Sequence, residues 1–138
     1  MYIFADNEGS TRTGRRSPHE FDIDLPVPVH MSAKSWYLAI LETSIRSSAT
    51  KTQRIHISAN CVGSSILNGE STSLLRSITI NGRKNPHTAH NEFTNVYRFK
   101  VNQPVLTGIR ISLTKPDGGA VDGLERVHCV LSLTSEDE

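Results

Sequence analysis

The sequence contains few residues of the kinds that build a catalytic or disulfide-stabilised protein. Its 138 residues include two cysteines and eight aromatic residues (one Trp, three Tyr and four Phe), and the formal net charge is only +1. Two cysteines cannot form the disulfide framework of a small secreted domain. With so little net charge, the protein as a whole has no field that would attract nucleic acid or an anionic membrane. We therefore expect electrostatic partners to be recognised by local groups of side chains.

Long apolar segments are also missing. The first residues, MYIFADNEGS, lack the basic and apolar regions of a secretory signal, and no apolar run is long enough to cross a bilayer. We expect a protein that is made in the cytosol or nucleus and does not insert into a membrane. In a reducing compartment, Cys61 and Cys129 are expected to be small buried side chains, because both lie among apolar residues.

Catalytic motifs are scarce as well. The sequence has no phosphate-binding glycine loop, no paired-cysteine motif and no nucleophile elbow. In the segment HTAH, His87 and His90 are three residues apart in what we expect to be a loop, a spacing that can hold a metal. Zinc requires three or four ligands, and only Asn85, Asn91 and Glu92 are nearby. The sequence therefore favours a solvated loop, and we expect no enzymatic activity, no catalytic residue, no cofactor and no metal.

The apolar residues alternate with polar ones, which is the pattern of β-strands with one buried face. The segment SWYLAILE is apolar on both faces, with Trp36, Leu38 and Ile40 on one of them, and this predicts a central strand. Since Trp36 would then be a core residue, we expect Trp36→Ala to lower the free energy of unfolding by about 3–5 kcal/mol.

Turn residues separate the predicted strands. Seven or eight such strands predict an all-β fold, an antiparallel β-sandwich with the Greek-key topology of a single jelly roll. The alternating strands are those around 21–25, 55–61, 97–101, 109–113 and 127–133.

Residues 7–20 and the last four residues are polar, and they suggest how the domain is bounded. Arg12, Arg15 and Arg16 lie among Gly, Ser and Thr, and the chain closes on the acidic residues SEDE. We therefore divide the chain into a flexible basic N-terminal arm (1–19), a β-sandwich domain (20–134) and an acidic tail (135–138).

The arm allows two interpretations. It is either a solvated tail or a segment that a partner orders, in which YIFA adds a strand to a neighbouring subunit and the arginines pair with carboxylates or packaged nucleic acid. For an arm that a partner orders, deletion of residues 1–19 should leave the thermal unfolding of the sandwich nearly unchanged while it weakens oligomerisation or incorporation into particles.

Four stretches follow one another in a characteristic order. They are FDIDLPVPVHM, SWYLAILETS, RIHISANCVGSSILNGESTSLLRSI, and a closing GIRISLTKPDGG with VHCVLSL. In this order the chain resembles the small penton-type or minor structural proteins of polinton-like and adintovirus-like DNA viruses and related mobile elements. The resemblance spans residues 20–134 and rests on apolar positions and turns. Position by position, the residues that match are Leu74, Leu75 and Arg76 in one motif and Trp36, Ala39, Leu41 and Glu42 in the other.

This resemblance implies a non-enzymatic viral structural protein located in the virion. Such a penton-like or minor capsid subunit would assemble with itself, as a pentamer or trimer, and with other capsid proteins. Cement, spike-base and fibre-head roles stay open. The arm could add a weak contact to nucleic acid. Within the motif segments we expect the core to include Trp36, Leu38, Ile40, Leu74, Leu75 and Arg76. For partner or assembly contacts, we expect Arg12, Arg15, Arg16, Arg83, Lys84 and His87.

A binding module is the alternative function. In that case the chain would be a ligand- or receptor-binding β-sandwich, such as a fibre head or lectin-like domain, and would use the polar loop at residues 81–93. A sugar-binding platform usually exposes aromatic side chains. Five of the eight aromatic residues here fall in predicted strands, so sugar binding is disfavoured.

Overall fold

The computed structural model describes residues 1–7, 17–30, 34–63, 65–67 and 70–136, and the strands in this part of the chain form antiparallel sheets. The described residues contain eleven strands: β1 (Tyr2–Asp6), β2 (Glu20–His30), β3 (Trp36–Ser47), β4 (Gln53–Ala59), β5 (Ser65–Leu67), β6 (Glu70–Thr72), β7 (Leu74–Ile80), β8 (His87–Glu92), β9 (Phe99–Lys100), β10 (Val105–Thr114) and β11 (Leu124–Ser135).

Two sheets make up the sandwich. Sheet A has the order β1-β11-β3-β8, with β9 also paired to β3, and sheet B has the order β2-β10-β4-β7. A separate hairpin joins β5 to β6 between β4 and β7. The first strand therefore lies beside the last, and the second beside the last but one. This nesting of early and late strands in two antiparallel sheets is the topology of a jelly roll, so the predicted all-β sandwich is confirmed.

The core lies between the two sheets and follows from the alternation of the strands. Phe21, Ile57 and Ile111 project from sheet B, and Leu38 and Leu131 project from sheet A, and none of these side chains is exposed. All belong to one cluster of buried residues. Each large apolar side chain buried in this way contributes about 1.5–3 kcal/mol, which makes the facing sheets the main source of stability.

Strand β3 lies in the interior of sheet A, between β11 and β8, as the segment SWYLAILE predicts. Its register with β11 shifts at Leu41, where a β-bulge inserts one extra residue. Because a shift of one residue exchanges the faces of a strand, Ile40 and Thr43 both point into the core. Glu42 is thereby turned to the outer face of the sheet.

The residues predicted to form the core divide into two groups. Leu38, Ile40 and Leu75 are at most 2% exposed, which confirms the prediction for them. For Trp36 the prediction of a core residue holds only in part. It is the first residue of β3, pairs with Ser135, the last residue of β11, and packs partly buried against the core. The two others that are only partly buried are Leu74 and Arg76.

The N-terminal residues belong to the sandwich, so the predicted boundary between arm and domain at residue 19 is wrong. Tyr2–Asp6 pair with β11, and Ile3 and Ala5 are 6% and 1% exposed. The side chain of His19 is also tied to the domain, since its Nε2 lies 2.9 Å from the backbone oxygen of Val121. These contacts remove the basis for expecting residues 1–19 to be dispensable. Arg12, Arg15 and Arg16 lie outside the described residues.

Two further predicted boundaries change. The sequence predicts a loop over residues 81–93, but β8 occupies His87–Glu92, so the loop is limited to residues 81–86 before the strand. At the C-terminus, Ser135 is the last residue of β11, and the backbone N–H of Glu136 donates to the oxygen of Ser35 at 3.0 Å. The acidic tail predicted from residue 135 therefore begins inside the fold, and residues 137 and 138 lie outside the described part.

Gly123 occupies a position that only glycine fits without strain. Its φ is +65°, and a Cβ there would lie 2.5 Å from the backbone nitrogen of Ala49. We expect Gly123→Ala to lower the free energy of unfolding, measured by urea denaturation, by about 2 kcal/mol or more. Gly118→Ala is the matched control, because Gly118 also has a positive φ, +87°, but has no atom within 4 Å of its Cβ position. That variant should lose only about 1 kcal/mol. Equal losses would contradict the close packing at Gly123.

Candidate functional site

The outer face of sheet A brings polar side chains from four strands into one row. Asp6 of β1, His128 of β11, Ser44 of β3 and His90 of β8 are directly opposite one another in successive pairs. The neighbouring row contains Phe4 of β1 at one end. Cross-strand partners have Cβ atoms about 4.5–5.5 Å apart, so side chains within a row interact. The rest of that second row, continuing from Phe4, consists of Val130, Glu42 and Glu92.

A serine, a histidine and a glutamate are connected within these rows. Ser44 Oγ lies 2.7 Å from His90 Nδ1, and His90 Nε2 lies 3.3 Å from Glu92 Oε1. A serine nucleophile also requires donors for the oxyanion that forms in acyl transfer. Ser44 lies in an interior strand that pairs with β11 on one side and with β8 on the other. The backbone N–H groups of this strand are therefore used by the sheet, and the arrangement is better suited to binding than to covalent catalysis.

Two arginines border the polar row. Arg46 and Arg126 are directly opposite in β3 and β11. Arg46 Nε donates to Glu125 Oε2 at 2.9 Å, and Arg126 Nη2 donates to Asp6 Oδ2 at 2.7 Å. Both pairs are solvent-accessible, so each contributes at most about 1 kcal/mol. Together they place alternating charges around a shallow depression of about 480 Å³, which is lined by Asp6, Ser44, Arg46, Thr88, Arg126 and His128.

The edge of sheet A at β1 is apolar and exposed. Tyr2 and Phe4 are 69% and 70% exposed, and Met1 beside them is 53% exposed. Met1 exchanges backbone hydrogen bonds with Leu133 of β11. By the alternation of an antiparallel ladder, the N–H and C=O groups of Tyr2 and Phe4 point away from β11, towards the open side. In the part of the chain that the structure describes, no strand pairs with this side, and such an edge is a template for pairing with another chain.

At the side of the sandwich opposite β1, the side chain of Arg76 connects the two sheets. Its guanidinium lies 4.1 Å from the ring centre of Phe93 and 4.6 Å from that of Tyr97. Its Nη1 also donates to the backbone oxygen of Asn95 at 2.5 Å. Arg76 belongs to β7 of sheet B, whereas these partners follow β8 of sheet A. Each cation–π contact contributes about 0.5–1 kcal/mol or more, so the predicted core residue Arg76 is a connection between the sheets.

The residues predicted from sequence to make contacts are not brought to one surface. Arg83 and Lys84 are exposed in the loop before β8. His87 is partly buried on the inner side of β8, and its Nδ1 is buried without a hydrogen-bond partner. Since successive side chains of a strand alternate, His87 and His90 lie on opposite faces. The HTAH segment is therefore a strand, and its two histidines do not converge. Arg12, Arg15 and Arg16 are outside the described residues.

Both cysteines are unpaired and fully buried, which confirms the prediction made for them. Burial raises the pKa of the Cys61 thiol to about 11. Burial, together with the negative charge of Asp6, raises the pKa of Cys129 to about 12. Because the thiolate is the reactive form, neither side chain is a candidate nucleophile near neutral pH.

The comparisons with known proteins add no family to this description. No protein-family model matches the chain, and its sequence has no significant match among curated proteins. The described residues include no helix that is long and apolar enough to span a membrane. The chain is thus characterised by its jelly-roll fold and by the outer face of sheet A.

Proposed function

We propose that this protein is a non-enzymatic structural subunit of a viral shell, a penton-like or minor capsid protein that assembles with copies of itself and with other shell proteins in the virion. The observation that carries the proposal is the open, aromatic edge at β1. The jelly roll supports it, because this fold recurs in viral capsid proteins, although the same fold also serves lectins and cupins. The resemblance of the motif segments to penton-type and minor structural proteins points in the same direction.

The β1 edge provides the two features that strand-to-strand assembly requires, which are exposed apolar surface and outward-pointing backbone groups. Tyr2 and Phe4 offer exposed aromatic surface, and aromatic side chains bury about 150–250 Å² each when they are fully covered. The outward backbone groups of the same residues supply hydrogen bonds for an added strand. Stable protein interfaces bury about 1,600 Å² in total, so the edge would form one part of a larger contact. The charged row beside Phe4 can fix the register of that contact through charge complementarity.

Closed rotational symmetry is the expected outcome of such assembly. Contacts that repeat head to tail generate rings when the rotation closes, which fits a pentamer for a vertex role and a trimer for a spike or fibre role. Rigid sandwiches are suited to this task because they do not have to reorganise before they associate.

Substitution of Phe4 by arginine tests the proposal directly. Phe4→Arg should abolish or strongly weaken self-association while it leaves the melting temperature of the subunit nearly unchanged, because the side chain is 70% exposed. The mass in solution, measured by light scattering over a range of concentrations, gives the oligomeric state. Val27→Arg is the matched control, since Val27 is 69% exposed on β2, the outer strand of sheet B.

Two results would count against the proposal. A wild-type protein that stays monomeric at high concentration, alone and with its shell partners, would overturn the assembly role. A Phe4→Arg variant that associates like the wild type would show that the β1 edge is not the contact.

The alternative function, a ligand- or receptor-binding module, depends on residues 81–93. Because β8 takes up six of these thirteen residues, the loop that remains before the strand exposes only two charged side chains, Arg83 and Lys84. A specific signal on a glycan or receptor array that is lost in an Arg83→Ala, Lys84→Ala variant would favour this function over assembly.

A further inference from the structure

Three metal-ligating side chains of two chemical kinds meet on the outer face of sheet A, at the side opposite β1. Glu42 of β3 is directly opposite Glu92 of β8, and His90 lies on the same face of β8. The ligand atoms of these three side chains all lie within 4.8 Å of one another. This group combines one residue of an interior strand with two of a neighbouring strand.

The two carboxylates would repel each other if nothing lay between them. Like charges directly opposite in neighbouring strands are destabilising. Glu42 is also partly buried, and within the described residues its carboxylate has no hydrogen bond and no ion pair. Arg46, the nearest arginine along β3, is engaged by Glu125 at 2.9 Å. The structure therefore maintains a close pair of carboxylates that a cation would stabilise.

The backbone directs Glu42 into this group. Without the bulge at Leu41, Glu42 would follow Ile40 onto the inner face of β3, in the core. The bulge turns Glu42 outwards, opposite Glu92. Bulges occur preferentially next to functional sites, where they re-aim a side chain.

Ser44 orients the imidazole ring of His90. Its Oγ lies 2.7 Å from His90 Nδ1. When Nδ1 carries the proton and donates it to this oxygen, Nε2 presents its lone pair on the side of Glu92, 3.3 Å from Oε1. Histidines that bind metals almost always have their second nitrogen held in this way.

We propose that Glu42, His90 and Glu92 form a binding site for a first-row divalent cation such as Zn²⁺. One imidazole and two carboxylates are ligands that zinc accepts, and three protein ligands leave a coordination position for water. Zinc bonds to these atoms are about 2.0–2.2 Å long, so the exposed side chains of His90 and Glu92 must close in slightly on the ion. The cation joins β8 to the interior strand β3. This site is independent of the assembly role proposed above.

Zinc titration of the full chain tests the site. After treatment with a chelator and dialysis, Zn²⁺ should bind with one equivalent per chain in calorimetry. It should also raise the melting temperature, because an ion that binds the folded state stabilises it. Addition of a chelator should reverse the shift. Mg²⁺ should give a much smaller shift, because it prefers oxygen ligands and retains its water.

Single substitutions show which side chains bind the ion. Glu92→Gln should weaken zinc binding more than tenfold, and Ser44→Ala, which removes only the orienting contact, should weaken it about tenfold. Glu125→Gln is the control, because this carboxylate pairs with Arg46 and is not one of the three ligands, so the variant should bind zinc like the wild type. The melting temperature without metal shows that each variant is folded. The proposal is overturned if the wild type binds no equivalent of zinc, if Glu92→Gln binds as tightly as the wild type, or if Mg²⁺ stabilises the protein equally.

Discussion

A chain that lacks residues 1–7 is expected to lose most of the stability of the sandwich. Strand β1 pairs with β11 over five residues. Its inward side chains, Ile3 and Ala5, cover the core beside Leu131 and Cys129. Removal of the strand exposes these two residues of β11 and leaves one side of that strand unpaired. Burial of one isoleucine alone contributes about 1.5–3 kcal/mol.

The end of β1 adds to this effect. Asn7 is 4% exposed, its backbone N–H donates to Val127 O at 3.2 Å, and its Oδ1 accepts from the Val127 N–H at 2.8 Å. The total loss should therefore amount to several kcal/mol, out of the 5–15 kcal/mol that stabilise an ordinary domain. Thermal unfolding followed by circular dichroism should show a transition that is shifted far downwards or is no longer cooperative.

A matched control separates the strand from its exposed aromatic residues. In the full chain, Tyr2→Thr with Phe4→Thr keeps the backbone pairing and the inward residues, and threonine is well suited to strands. This double variant should unfold close to the wild type. If instead the truncated chain melts like the full chain, β1 is dispensable for folding and residues 1–19 act as an arm after all.

Leu38→Ala should destabilise the protein more than Trp36→Ala, although tryptophan is the larger residue. Leu38 is fully buried between the sheets, and removal of a buried leucine side chain costs about 2–5 kcal/mol. Trp36 is partly exposed at the start of β3, so its loss should cost less than the 3–5 kcal/mol of a buried tryptophan. Urea denaturation at equilibrium measures the loss of unfolding free energy in both variants.

Val27→Ala provides the reference for that comparison. Val27 is 69% exposed, and substitutions at such positions usually change stability by no more than about 0.5 kcal/mol. If Trp36→Ala costs as much as Leu38→Ala, Trp36 is a core residue, as the sequence predicts. If Trp36→Ala keeps its melting temperature but loses association, Trp36 belongs to an interface between subunits.

The two proposed surfaces can be tested separately because they lie at opposite sides of sheet A. The assembly edge is β1, and the proposed cation site is formed by β3 and β8, with β11 lying between β1 and β3. Phe4→Arg should therefore leave zinc binding intact, and Glu92→Gln should leave the oligomeric mass unchanged in the absence of metal. A variant that changed both properties would indicate that the two edges are coupled.

The sequence by itself determined the fold class and most of the strands. Residues 21–25 of β2 and 109–113 of β10 alternate strictly, with Phe21 and Ile111 on the buried side, and this pattern depends only on the geometry of a strand with one face in the core. The interior position of β3 followed in the same way from apolar residues on both of its faces. The two buried cysteines were predictable because their neighbours are apolar.

Strands β1 and β8 could not be recognised from the sequence. β1 has only five residues, and its exposed side carries Tyr2 and Phe4, so its apolar residues do not alternate with polar ones. β8 is an outer strand whose two faces are both largely polar, which is the composition of a loop. In both cases the segment is a strand because a long neighbour, β11 or β3, offers it a ladder of hydrogen bonds.

The candidate cation site was decided by the tertiary structure alone. In the sequence, His90 is closest to His87, and that spacing suggested a pair of ligands if the segment were a loop. A strand separates these two side chains onto opposite faces, and the pairing of β8 with β3 brings Glu42, 48 positions before His90, to its side. Register and the bulge at Leu41 determine this meeting, and both result from packing between strands that are distant in the chain.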